Sequence, residues 1–347
     1  MDDWFVSFLL FVLSFLVYYH VQKQYKTSED LEIYETDYVS RKELQPTLEL
    51  KQPVLFSFPT PGISHNDIKD LKTLLCIRDI REFYQPDTAS VDPILLPMES
   101  GRGLLHSDTK HLYFSDCNQD LVDEPLVSYK CSQLDDVLQP PFCSVTKHDV
   151  LFGSRKAYTP MTYHTYSQRF LLVQGDSAHC GIRIKMAPWK NTPHLHCRKD
   201  YGRFERWSIK NMFRGDEDQF KLLDFVVNPG YVLYVPPYWW YTMQFLDEST
   251  CVTSVTYSTV VNVLSNAKEY AMFYYHQRDL YDQMYSQMVP EVVTTPLEQD
   301  TAGDHTDADT DADTDIAADD SPPESQDVSL ELIEDLKPSE TKSPDKP

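Results

Sequence analysis

The residues best suited to chemistry in this chain are its spaced imidazoles and carboxylates. His106-Ser107-Asp108 places an imidazole and a carboxylate two residues apart, the spacing with which one strand offers two ligands to a metal such as Fe(II). No fitting strand follows it, so a polar turn is the expected role. His194 and His196 form a second candidate pair, but Lys and Arg surround them and a solvated surface loop is expected there. His164 lies inside a β-rich run. The alternating aspartates from Thr306 to Asp315 invite calcium, yet the glycine and glutamate that an EF-hand loop needs are misplaced. The chain has no Cys-x-x-Cys pair for zinc, no Gly-x-Ser-x-Gly elbow and, with 10 glycines in all, no phosphate-cradling loop.

These groups need elements to hold them. Gln52 to Phe58 reads as a first strand, and short runs rich in Val, Ile, Tyr, Phe and Thr follow, punctuated by Pro and Gly, until about Val263. That density predicts an all-β sandwich or barrel. Tyr270, Phe273, Tyr274, Leu280 and Met284 recur at helical spacing, predicting a helix over Ser265 to Met288 with Ser265 as its N-cap.

The most informative stretch runs from Asn228-Pro229-Gly230 through Tyr231-Val232-Leu233-Tyr234-Val235 to Pro236-Pro237-Tyr238-Trp239-Trp240-Tyr241. It resembles the late metal-binding strand of the cupin-like, JmjC-related oxygenases, in which Pro-Gly-Asp, a strand and Pro-x-x-Trp-Trp-His follow one another. Thr162 to Leu171 resembles the family's His-x-Asp strand, Gly181 to Trp189 its Gly-x-Lys strand, and Phe204 to Trp207 an aromatic segment common there. The resemblance covers roughly residues 50 to 265. The layout of anchor, connector, such a domain and an acidic tail is similar to that of proteins of some large DNA viruses. The resemblance implies a mainly β fold, a double-stranded β-helix of cupin or jelly-roll type with peripheral helices.

Family enzymes hold Fe(II) with two histidines and a carboxylate, leaving room for 2-oxoglutarate and oxygen. Carried onto this chain, the first histidine position holds Thr162, the carboxylate position His164 and the distal histidine position Tyr241. All three ligands are replaced, and the expectation is a degenerate metal site needing no cofactor. Arg183 lies near where a basic residue would clamp 2-oxoglutarate, and Tyr163, Trp239 and Trp240 would line the barrel mouth or pack in its core. The leading expectation is a non-catalytic binding or assembly module. The alternatives are an Fe(II)/2-oxoglutarate hydroxylase built on His164 and Tyr241, and a barrel that binds some other small molecule.

The sequence divides into an anchor (1–26), a connector (27–51), the domain with its C-terminal helix (52–290) and a tail (291–347). Trp4 to Val21 is apolar apart from Ser7, Ser14 and His20, and as a helix it reaches roughly 27 Å, enough to cross a bilayer core. Acidic residues precede it and Lys23 and Lys26 follow, predicting a single-pass anchor with the domain on the cytosolic side. Irregularly spaced cysteines and the lack of Asn-x-Ser/Thr acceptors agree with a reducing compartment. Between Pro296 and Pro347, 17 acidic residues face 3 basic ones, so −14 of the net −23 sits in a segment expected to be disordered, with a docking helix conceivable at Leu330 to Leu336. Neither half carries the basic footprint of a nucleic-acid binder. A protein partner or a homodimer through the C-terminal helix is expected instead.

Overall fold

The structure is a computed structural model that describes residues 3–38, 40–58, 62–177, 179–215 and 221–288. The chain divides at Pro290 into two units, and all described residues belong to the first. The acidic repeat and the Leu330–Leu336 segment therefore lie outside the described residues.

In chain order the elements are α1 (Asp3–Tyr25), β1 (Tyr34–Asp37), α2 (Arg41–Leu48), β2 (Val54–Ser57), α3 (His65–Ile68), β3 (Leu74–Asp79), β4 (Ile94–Pro97), α4 (Met98–Ser107) and β5 (Tyr113–Ser115). They continue with α5 (Gln119–Val122), α6 (Pro125–Leu138), β6 (Cys143–Gly153), β7 (Gln168–Gln174), β8 (Ile182–Ala187), α7 (Thr192–Leu195), β9 (Cys197–Asp200) and β10 (Glu205–Ser208). Last come β11 (Leu223–Val227), β12 (Tyr231–Val235), β13 (Trp240–Phe245), β14 (Cys251–Thr259), α8 (Val260–Ser265) and α9 (Ala267–Met288).

Nine strands form one sheet in the order β1-β2-β12-β7-β14-β6-β5-β3-β4, and a three-stranded sheet β11-β8-β13 faces its centre. Residues 157–163 extend the smaller sheet through the bridges Tyr158 to Gln244 and Thr162 to Tyr241. Side chains alternate along each strand, and this sorts them cleanly. Leu171, Val173, Leu233, Val235 and Val252 of the large sheet meet Ile182, Ile184, Met186, Tyr241, Met243 and Phe245 of the small one in the core between the layers. The intervening Phe170, Leu172, Val232, Tyr234, Val255 and Tyr257 point to the outer face, where Leu44 and Leu48 of α2 and Leu134 and Leu138 of α6 cover them. Strands buried on both faces read as continuous apolar runs, as β12 and the middle of β7 do here.

The Asn228-Pro229-Gly230 turn forms as its residue types demand. Gly230 takes φ of 86°, a left-handed conformation that glycine adopts without Cβ strain, and its N–H donates to Val173 O at 2.8 Å. It delivers β12 into the large sheet, and Pro236-Pro237 then turns the chain so that β13 enters the small one.

Three expectations change. Among the described residues helix and strand take comparable shares, 34% and 30%, so the fold is mixed α and β with large sheets rather than mainly β. The connector carries elements that join the domain: β1 pairs in parallel with β2, and α2, capped by Ser40, packs into the outer core. The expected C-terminal helix forms as α9, but a short α8 precedes it and Ser265 is not its N-cap. Thr259 accepts from Asn262 N as the N-cap of α8, whereas Ser265 closes that helix and donates to Val261 O at 2.7 Å.

Among the described residues α1 is the one helix long and apolar enough to cross a membrane. Its C-terminal end is tied down. Lys51 Nζ donates to the carbonyls of Lys23 and Gln24, at 2.8 and 2.6 Å, and Tyr25 OH donates to Ser265 O. Those carbonyls would otherwise end the helix unsatisfied.

Candidate functional site

Two strands of the smaller layer bring Thr162 and Tyr241 face to face. Thr162 N donates to Tyr241 O at 2.9 Å and Tyr241 N returns the bond at 2.8 Å. With His164 and Tyr163 they line a cavity of about 410 Å³ between the two sheets. The three positions to which the resemblance assigns the ligands are thus brought to one place.

Their chemistry does not fit iron. The His164 ring is 3% exposed, and its Nε2 lies 2.9 Å from Val235 O. An imidazole in that contact is the donor, which makes Nδ1 the bare nitrogen, and Nδ1 has no hydrogen-bond partner of good geometry. Burial, reinforced by the charge of Arg169, pushes the pKa of His164 down to about 3, so the ring is neutral. Thr162 offers a hydroxyl, and the phenol ring of Tyr241 lies under the Arg169 guanidinium, 5.6 Å from its centre. No carboxylate joins them. Among the described residues no three His, Cys, Asp or Glu side chains gather closely enough to hold a metal ion.

The cavity wall is charged instead. Arg78, 2% exposed, donates through both terminal nitrogens to Glu205 at 2.9 and 2.6 Å, and its Nε lies 2.8 Å from Asp116. The Asp116 contact is an ion pair rather than an aligned hydrogen bond. Burial pushes both carboxyls up, and Arg78 pulls them back down. Asp149 is also raised by burial, although it accepts from the backbone N–H groups of Cys117, Asn118 and Val150. Arg206 pairs with Glu269 of α9 and stacks over the rings of Tyr163 and Phe204. None of these charged groups stood out in the sequence. The available signal was polar residues at inward positions of otherwise apolar strands: Lys147 and Asp149 before Leu151, Arg169 before Leu171, and Ser254 and Thr256 after Val252.

The other candidates lie elsewhere. Arg183 does not reach the cavity. Ile182, Ile184 and Met186 face inward on β8, so Arg183 points out, 45% exposed, and forks onto Asp224 at 2.7 and 2.6 Å. Trp239 and Trp240 are wholly buried and line no part of this cavity. Trp240 donates to Thr192 Oγ1 at 2.9 Å and packs 4.7 Å from the Tyr163 ring. His106 ends α4 beside Glu248, and Asp108 accepts from the N–H groups of Leu112 and Tyr113. His194 sits in the short α7, and His196 caps it in a left-handed conformation. No protein-family model matches the chain, and no curated protein matches it either.

Proposed function

We propose that this protein is a membrane-anchored barrel of the cupin-like, JmjC-related type whose metal site is degenerate and which works by binding. The strand order supports the barrel reading. From β6 onward the core strands pass back and forth between the layers, with β8 and β11 consecutive in the smaller one: β6, β7, β12 and β14 go to the larger, and residues 157–163, β8, β11 and β13 to the smaller. Four core strands from each of two facing layers, linked back and forth along the chain, are what a double-stranded β-helix requires.

The observation that carries the functional reading is the ligand set itself. A hydroxyl, a neutral imidazole with Nε2 committed to Val235, and a phenol beneath a guanidinium offer neither the anionic charge nor the open donor geometry that Fe(II) selects. Binding then falls to the cavity and to the outer surfaces, α9 among them as a candidate dimer face. Lys23 and Lys26 after the anchor, with acidic residues before it, support a cytosolic side for the domain. The test is succinate formation from 2-oxoglutarate by the full chain in detergent with Fe(II) and ascorbate. Background rates are expected, and turnover lost in His164→Ala would revive the hydroxylase reading.

A further inference from the structure

Three adjacent strands of the large sheet set their inward residues in rows. Lys147 of β6, Thr256 of β14 and Arg169 of β7 are partners in register, so one row reads cation, hydroxyl, cation. The next row is Asp149, Ser254 and Leu171, and the one beyond is Leu151, Val252 and Val173, wholly apolar. Neighbouring strands lie about 4.8 Å apart, which puts Lys147 and Arg169 roughly 10 Å apart at the backbone. Both side chains are long enough to converge over Thr256.

Other charges on the cavity wall are matched. Arg78 has Asp116 and Glu205, Arg206 has Glu269, Arg203 has Asp92, and Asp149 is filled by backbone amides. Lys147 and Arg169 differ, because among the described residues neither has a carboxylate within ion-pair distance. Lys147 Nζ donates to Tyr166 OH at 3.1 Å and lies over the Tyr166 and Phe204 rings. Arg169 donates through Nε to Ser254 Oγ at 3.1 Å, which leaves its terminal nitrogens for another partner. Buried His164 lines the same cavity with Nδ1 unpaired. Two cations flanking one hydroxyl in the same row repel each other, and an anion between them would remove that cost.

We propose that the cavity binds a small oxyanion, a carboxylate or a phosphate group, between Lys147 and Arg169 over the Thr256 hydroxyl. The guanidinium end of Arg169 takes two oxygens side by side, Lys147 adds a point charge, and Thr256 donates a hydrogen bond. A cavity of about 410 Å³ admits a ligand of metabolite size. The proposal rests on the metal-free binding reading and gives it a ligand class.

Calorimetric titration of the full chain in detergent, with EDTA present and ionic strength held constant by chloride, tests it with inorganic phosphate and, separately, with succinate. Saturable one-to-one binding of at least one probe is expected, weakened tenfold or more in Lys147→Gln and in Arg169→Gln. Lys147 is exposed, so its variant keeps the fold, while Arg169 packs on Tyr241 and its variant needs a melting curve beside it. Binding of phosphate alone or succinate alone identifies the anion. Absence of saturable binding at millimolar probe, or binding that Lys147→Gln leaves unchanged, overturns the proposal and leaves the metal-free reading standing. Binding that appears only when EDTA is replaced by Fe(II) overturns both.

Discussion

Replacing Arg78 with methionine removes the cation from a buried triad while keeping much of its volume. Two carboxylates then lose their partner: Glu205, held by both terminal nitrogens, and Asp116, 2.8 Å from Nε. Breaking a buried ion pair from one side costs roughly 3–5 kcal/mol, because a charge is left desolvated. The two carboxylate side chains are 23% and 22% exposed, toward the cavity, which brings the expectation to the lower end, about 3 kcal/mol. The cost depends on pH in a defined direction. Burial already raises both carboxyls, and without Arg78 they rise further. A native state with raised carboxyls binds more protons than the unfolded chain, so its stability falls as pH climbs. The deficit of Arg78→Met is therefore larger at pH 8 than at pH 5, because the raised carboxyls take up protons as pH falls. Urea unfolding of the full chain in detergent, followed by tryptophan fluorescence at both pH values, measures it. Adding Glu205→Gln is expected to recover part of the loss at pH 8. A deficit below about 1 kcal/mol at pH 8, or one that grows toward pH 5, would refute the reasoning.

Three further perturbations follow from the same geometry. His164, with its pKa pushed down to about 3 against 6.5 when unfolded, leaves the unfolded chain binding more protons below pH 6.5. Stability should fall on acidification by on the order of 1.4 kcal/mol per pH unit from this group alone. His164→Gln should flatten that decline in urea midpoints measured between pH 6.5 and 4, and an unchanged slope would count against a buried neutral ring. Trp240→Ala should cost about 3–5 kcal/mol in thermal or urea unfolding, and a loss under about 1 kcal/mol would mean that the side chain is not in the core. Lys51→Met should free the last carbonyls of α1 and speed tryptic cleavage after Lys23 and Lys26 several-fold, whereas unchanged cleavage would show that Lys51 does not hold the helix end.

Much of the strand framework is legible locally. The turn at Asn228 to Gly230, the apolar run of β12, the corner at Pro236 and the apolar length of α1 all announce themselves within a few residues. Alternation on β8 even contained the correction for Arg183, since Ile182, Ile184 and Met186 can all face the core only if Arg183 faces out. The helices between Met98 and Leu138 were less visible because strand-forming residues surround them. Val127, Cys131, Leu134 and Leu138 do recur at helical spacing after Pro125, which sits in the first turn of α6. The connector hid its role for a different reason: β1 and α2 are short and polar, and tertiary packing on β2 and Leu134 holds them. The charged wall was not legible at all. Arg78 and Glu205 are 127 residues apart, and only the closing of the two layers brings them together. The candidate site lies between these extremes: Thr162, His164 and Tyr241 were singled out by a resemblance and do line one cavity, while the committed Nε2 of His164 needed the neighbouring strand to be seen.

Anaerobic titration of the full chain with Mn(II) and then Fe(II), with bound metal quantified after desalting, tests the central claim most directly. The account predicts no stoichiometric metal in the parent protein and no difference in His164→Ala. One equivalent of tightly held metal, lost in that variant, would contradict it.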